Sequence, residues 1–473
     1  MDSQYKIFES ARQARDPRFD GRFFVGVKTT GIYCRPVCPV KMPMAKNVSF
    51  FASAAAAMEA GYRPCLQCRP EASPGTPAWM GTSTTVSRAL RLIGDGALDG
   101  EGLGTLSARL GVSPRHLSRL FQKHLGASPM TIAQTHRIQF AKKLLDETNL
   151  SMTDIAFSSG YGSVRRVNDH FRKTYSRTPV SLRREQIIDK SDAFTIRLSY
   201  RPPFDYRGIL SFLAMRAIPG VETVSHNEYQ RTILIEGSTA RISITNDEEQ
   251  NILLCKVEVE NSRLLIRIVE KVRRLFDLDA VPRDIQRQLQ RDRPLARLVK
   301  QNPGQRLPGA WDAFELTVRA IIGQQVSVKG ASTVMGLVAE KYGNQCEYGT
   351  LFPGPSIIAN IDPGELPMPV SRARAIVYMA EAVLAGDLAL GNENDRAQVV
   401  EQLVAIKGIG PWTAQYVAMR AFNDPDAFLH SDLVLLRVAR DILGIDGEKQ
   451  LLQRAEKWRP WRAYAGMHLW LNA

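Results

Sequence analysis

The chain has 473 residues, 44% hydrophobic and 23% charged, enough to bury several cores and to fill about three or four domains. It has no apolar run of the about 18 residues that a membrane span needs, and the polar start Met1 to Ala11 lacks the apolar core of a secretory signal. A cytoplasmic protein without a membrane partner is therefore expected. The formal net charge is +14, and 28 Lys and Arg against 15 Asp and Glu fall in the first 190 residues, so a polyanion such as DNA is the expected partner of that half.

Cysteines open the chain-order reading. Cys34-Arg35-Pro36-Val37-Cys38 and Cys65-Leu66-Gln67-Cys68 are two close pairs, each able to bite one metal ion, and four thiolates suit one tetrahedral Zn2+. On spacing alone such a closed set is usually structural. Cys255 and Cys346 stand alone and read as buried core residues. The stretch Pro70 to Pro77 reads as a linker.

Residues 84–184 carry helical periodicity without convincing strands, with Ser113-Pro114 and Thr178-Pro179 as helix boundaries. Thr105 to Phe121 has the pattern of a helix-turn-helix, with Gly111 at the turn and Arg115 and Arg119 on the second helix. A second such unit runs from Ser151 to Arg172 and carries Arg165 and Arg166. Each second helix is expected in the DNA major groove. Residues 193–280 form a small α+β part. Its strands are expected at Phe194 to Tyr200, Thr232 to Ile235, Arg241 to Ile244 and Leu253 to Val259, with a helix over Ile209 to Met215. Residues 281–473 are helical again. They contain a hairpin, Ile406 to Ala414, whose Gly408 and Gly410 let backbone N–H groups approach a DNA phosphate. Asp432 follows it, while Asp424 and Asp426, in a turn-like stretch, read as surface residues.

Three resemblances follow from these residues. Thr29 to Pro36, Asn47 to Phe50 and Ala60 to Pro70 closely resemble the N-terminal zinc domain of the Ada family of alkylation-response proteins. That resemblance implies that Cys34 takes a methyl group irreversibly from a DNA methylphosphotriester. Gly160-Tyr161-Gly162-Ser163, Phe171-Arg172-Lys173 and Thr178-Pro179 resemble the AraC-type DNA-binding domain. This implies transcription activation on promoter DNA, with RNA polymerase as a further partner. The hairpin and Asp432 resemble the helix-hairpin-helix glycosylases. Trp311 to Glu315, Arg319 to Ser327 and Trp458 to Ala465 are similar to the AlkA branch, the 3-methyladenine DNA glycosylases.

The AlkA resemblance implies base flipping, Asp432 as the catalytic carboxylate, and Trp412, Tyr416 and Trp470 as an aromatic pocket whose rings attract a cationic base. Trp412 stands where lyase members carry a lysine, implying a monofunctional glycosylase, one without a lyase step. Gln325 stands where an apolar wedge into DNA is expected, and Leu471 where an aromatic can occur. No iron–sulfur cluster is expected, nor an alkylguanine methyltransferase domain, since no Pro-Cys-His-Arg motif is present. The expected fold class is multidomain, mainly α with α+β. Residues 1–76 are the zinc methyl-acceptor domain, 84–184 the double helix-turn-helix, 193–280 the AlkA-type N-terminal α+β domain and 281–473 the all-α glycosylase. Two alternatives stand beside this reading: a transcription regulator with an inactive glycosylase part, and a zinc-dependent DNA-binding protein without methyl transfer.

Overall fold

The computed structural model of the protein describes residues 3–74, 84–183, 193–391 and 396–472. Gly75 to Pro77 of the expected linker, and the boundary at Arg184, lie outside them. Contacts divide the chain into two compact units. One comprises Met1–Pro202, Asp247–Arg273 and Leu278–Ala280; the other comprises Pro203–Asn246, Arg274–Asp277 and Val281–Ala473.

The first unit begins with helix Ser3–Gln13 and a four-stranded sheet. Strand Phe24–Val27 lies antiparallel to both Ile32–Cys34 and Val48–Phe51, and Arg63–Pro64 pairs in parallel with Ile32–Cys34. Aromatic residues fill so small a core: Phe8 stacks on Phe23 at 4.3 Å, and Phe50 meets Phe23 edge-on at 5.3 Å. Register brings Cys34 opposite Val25 and Tyr33 beside Pro64, so the two cysteine pairs leave adjacent strand ends.

Among the described residues seven helices follow the sheet, at Thr84–Gly94, Leu103–Arg109, Pro114–Leu125, Pro129–Glu147, Met152–Ser158, Val164–Tyr175 and Pro179–Leu182. Five have an N-cap hydroxyl that accepts the N–H three residues on: Ser113, Ser128, Ser151, Ser163 and Thr178. Each cap contributes about 1 kcal/mol and fixes where its helix starts. Buried Leu117, Phe121 and Leu125 recur at four-residue spacing, and Val167 and Phe171 do the same on the second unit, leaving the opposite faces to solvent. Strand Ala193–Ser199 then pairs antiparallel with Ile252–Val259, burying Ile196, Leu198, Leu253, Cys255 and Val257.

The expected linker is corrected at its start. Pro70–Ala72 forms a 3-10 turn with Pro70 buried, and the Ser73 hydroxyl donates to Pro70 O at 2.7 Å. Arg69 just before it pairs with Asp146 on helix Pro129–Glu147 at 2.6 Å. Proline composition suggested a free chain, but ion pairing and burial hold this segment in place.

The second unit opens with helix Tyr206–Ala214 and an antiparallel meander, Glu222–Val224, Glu228–Ile235 and Ser238–Asp247. Its helical part centres on Ala313–Ile322, in which every residue from Phe314 to Ile322 is buried. Around it lie Val328–Tyr342, Val370–Ala385, Arg396–Ala405, Pro411–Ala421, Leu433–Val438 and Arg462–Trp470. Cys255 is buried as expected, but Cys346 is not in the core. It lies half-buried in the short hairpin of Asn344–Cys346 and Gly349–Leu351, its thiol donating to Gly349 O at 3.2 Å. Among the described residues no helix is long and apolar enough to cross a membrane.

Candidate zinc, DNA and base-excision sites

Cys34, Cys38, Cys65 and Cys68 converge with all four sulfurs within 4.8 Å of one another, each residue buried. Tetrahedral zinc with Zn–S bonds of about 2.3 Å spaces its sulfurs about 3.8 Å apart, inside that limit. The sulfurs also perturb one another. Hydrogen bonding with Cys38 and Cys65 pushes the Cys34 thiol up, and hydrogen bonding with the other three pushes Cys68 up. Hydrogen bonding with Cys34 pushes Cys38 and Cys65 down. A dication suits four sulfurs held this close, because each thiol it binds loses its proton. The donor set fits one Zn2+. Arg35 braces the cluster: its backbone N–H donates to Cys68 Sγ at 3.3 Å, its Nη1 to Cys68 O at 3.1 Å, and its Nε to both oxygens of Asp20 at 2.9 and 3.0 Å. Cys34 is 6% exposed and its three neighbours 7–8%, so exposure does not single out a nucleophile.

The helix-turn-helix arginines lie where the apolar spacing directs them. Arg115 and Arg119 are exposed on Pro114–Leu125, and Arg165 and Arg166 on Val164–Tyr175. Gly111, φ +67°, makes the first turn and Gly160, φ +76°, the second. Behind the second helix Tyr161 Oη meets His170 Nδ1 at 2.7 Å, and burial pushes His170 down to about 4, so its imidazole is neutral at pH 7.

The second unit brings the glycosylase-like residues together. Asp432 caps helix Leu433–Val438, its Oδ1 accepting the N–H groups of Val434 and Leu435 at 3.0 and 2.9 Å. The same carboxylate accepts the indole N–H of Trp470 on Oδ1 at 3.1 Å and that of Trp412 on Oδ2 at 2.9 Å. Trp412 stacks on Tyr416 with centroids 5.4 Å apart and planes 9° apart. A simple cap does not require two tryptophan donors. These side chains are one helical turn apart on Pro411–Ala421, directly after the glycine hairpin. Gly408 has φ +96°, and a Cβ there would stand 2.7 Å from Ala375 Cβ. Gln324 ties the hairpin down, its Nε2 donating to Gly408 O and Thr413 Oγ1, each at 3.0 Å. The neighbouring Gln325 is exposed with φ +56°, a strained value for a non-glycine residue, and exposed Val326 and Val328 flank it.

Asp424 and Asp426 are not free surface residues. Asp424 pairs with Arg396 at 3.2 Å, and Asp426 accepts from Arg462 Nε at 2.9 Å and from Arg459. They brace the loop leading to Asp432. The sequence reading also missed the surroundings of Tyr416. Arg420 donates to the Tyr416 hydroxyl at 2.7 Å and to Gly309 O at 2.7 Å. Phe212 has the guanidiniums of Arg216 and Arg420 over it at 3.7 and 4.7 Å. Burial works to raise the Tyr416 hydroxyl, but Arg420, Arg216 and Arg319 outweigh it and hold the phenol below its usual value. Only the Tyr416–Arg420 spacing of four residues was a sequence signal. The other partners lie about 100 to 200 residues away.

Comparison with known proteins accords with this geometry. The metal binding domain of Ada matches residues 8–71, a helix-turn-helix domain residues 106–185 and the AlkA N-terminal domain residues 195–312. With the Ada domain match, the four-cysteine cluster is a site for one Zn2+. The "DNA-3-methyladenine glycosylase 2" of Escherichia coli is 35% identical over 58% of this chain and 95% of its own length. The solved 3-methyladenine DNA-glycosylase of Archaeoglobus fulgidus superposes with a TM-score of 0.52 at 21% identity, covering 58% of this chain and 97% of its own, a likeness of fold. The "Probable bifunctional transcriptional activator/DNA repair enzyme AlkA" of Mycobacterium tuberculosis is 41% identical over 99% of this chain and 97% of its own length. At that identity and coverage, with all three domain models in order, the chain belongs to the family of Ada–AlkA bifunctional transcriptional activator/DNA repair proteins.

Proposed function

We propose that this protein repairs alkylated DNA by two chemistries and reports the damage through its helix-turn-helix domain. The observation that carries the excision reading is the Asp432 carboxylate, held by Trp412 and Trp470 beside the stacked Tyr416. A flipped alkylated purine such as 3-methyladenine is cationic and leaves as a neutral base. The C1′–N bond breaks with its electron pair going to the base, and the sugar becomes oxocarbenium-like. Water then adds at C1′ and loses a proton. Asp432 supplies the counter-charge. Its Oδ2 accepts one indole N–H while Oδ1 accepts three N–H groups, so Oδ2 is the oxygen with room for sugar or water. No side-chain amine takes part: Trp412 fills the lyase-lysine position, which supports hydrolysis without a lyase step.

At the zinc site the Cys34 sulfur attacks the methyl carbon of a neutral methylphosphotriester. An S–CH3 bond forms, the O–CH3 bond breaks, and an ordinary phosphodiester leaves. Bound Zn2+ keeps the thiol ionised at neutral pH. The flanking residues and the Ada domain match support Cys34 as acceptor. Its methylation removes one negative charge near the DNA backbone, which raises DNA affinity. Arg115, Arg119, Arg165 and Arg166 then read promoter DNA, with RNA polymerase as the partner of the activated protein and the cytoplasm as its place of work.

Release of 3-methyladenine from methylated duplex DNA tests the excision reading. Asp432→Asn is expected to bind duplex DNA normally and to release base at least about 100-fold more slowly. Excision near the wild-type rate would remove Asp432 from the chemistry and leave it a helix cap.

A further inference from the structure

The back of the base site is unexpectedly cationic. Arg420 donates to Tyr416 Oη at 2.7 Å and lies over the Tyr416 ring at 5.6 Å. Arg216 donates Nη1 to Phe212 O at 3.3 Å and lies over the Phe212 ring at 3.7 Å. Arg319 is buried close enough for its charge to act on the Tyr416 hydroxyl, donating Nη1 to Ser332 Oγ at 3.4 Å while its Nη2 is buried with no hydrogen-bond partner. The carboxylates facing this group are Glu222 and Glu315, and both are engaged by Arg231. Four guanidiniums against two carboxylates leave the cluster net positive.

This arrangement opposes the simplest account of an aromatic pocket for cations. The attraction between a ring face and a cation is largely electrostatic. Here the ring of Phe212 lies under two protein guanidiniums and that of Tyr416 under one. Their attraction is already engaged before any base arrives, and the fixed positive charge repels a cationic base.

We propose that Arg216, Arg319 and Arg420 form a charge filter behind Tyr416 that lowers the enzyme's preference for cationic alkylated bases relative to neutral damaged purines. Neutral bases meet no such repulsion. Arg216, Arg319 and Arg420 are therefore specificity-determining residues, whereas Asp432 remains the catalytic one. This inference rests on the base-excision reading above.

The test is the ratio of single-turnover release rates of 3-methyladenine, cationic in DNA, and hypoxanthine, neutral in DNA, from matched duplexes. Arg216 is only half-buried, so its replacements leave the core intact. Removing one charge roughly 10 Å from the base, at an effective dielectric of about 20, corresponds to roughly a tenfold change. Arg216→Met and Arg216→Gln should each raise the 3-methyladenine to hypoxanthine ratio about tenfold, and Arg216→Lys should restore the wild-type ratio. A purely structural role would slow both releases together. An unchanged or lowered ratio in both Met and Gln variants overturns the filter while leaving the excision reading standing. No release of either base by the wild type overturns the excision reading and the filter with it.

Discussion

Asp432 is at once a helix cap and the acceptor for two indoles, and substitutions separate the two roles. Trp412→Phe keeps a ring to stack on Tyr416 but deletes the N–H donated to Oδ2. A hydrogen bond to a charged group contributes about 1.5–3 kcal/mol. If it steadies the carboxylate through the reaction, single-turnover base release should fall about tenfold or more while the melting temperature changes little. A large fall in melting temperature at unchanged rate would make Trp412 a packing residue only. His468, on the same helix as Trp470, gives a pH prediction. Burial pushes it down to about 4, and its Nδ1 has no hydrogen-bond partner. Protonation is thus disfavoured in the folded state, so stability falls as pH drops below the unfolded value of about 6.5 and the loss saturates below about 4. The full loss is on the order of 3 kcal/mol. Urea melts between pH 7 and pH 4.5 should show His468→Leu losing less stability than the wild type; equal losses would contradict the assignment. Asp432, Trp412, Tyr416 and Trp470 were named from the AlkA resemblance, and in the structure both indoles donate to the one carboxylate while Tyr416 stacks on Trp412. The roles of Asp424 and Asp426 were not legible, because their partners Arg396, Arg459 and Arg462 lie about 28 to 36 residues away, and pairing across that distance leaves no periodicity.

The glycine hairpin shows what an element contributes that no single side chain does. Gly408 combines a left-handed φ with close approach to Ala375, and Gln324 pins it from a different helix pair. Gly408→Ala adds both strain and overlap and should cost on the order of 3 kcal/mol. Affinity for undamaged duplex DNA should fall with it, as the phosphate-facing N–H groups shift. A stable variant with wild-type DNA affinity would remove the hairpin from the interface. The helix starts were readable from the hydroxyl–proline pairs, since Ser113 and Thr178 act as the caps their sequence suggests. The four-stranded sheet around the cysteines was not. Its strands run two to four residues, too short for alternation to register, and aromatic packing rather than pattern holds them. Pro70–Ala72 misled for a related reason: composition suggested a linker, while the ion pair from Arg69 to Asp146 secures it.

At the scale of the whole molecule, the proposed methyl transfer and base excision share one chain and one substrate polymer. The basic N-terminal 190 residues, with 28 Lys and Arg against 15 Asp and Glu, suit long-range attraction to DNA. In the proposed switch, methylation of Cys34 changes one local charge, which strengthens binding most at low salt. DNA affinity measured before and after methyl transfer should rise, and the gain should shrink as salt is added; equal affinities would sink the switch. The central claim, that separate residues carry the two chemistries, is tested most directly by one assay on the full chain. Duplex DNA methylated with a radiolabelled agent is incubated with wild type, Cys34→Ser and Asp432→Asn, and label is counted on protein and as free base. Wild type should give both, Cys34→Ser free base alone, and Asp432→Asn protein-bound label alone. Free base released by Asp432→Asn at the wild-type rate, or protein-bound label retained by Cys34→Ser, would contradict the account.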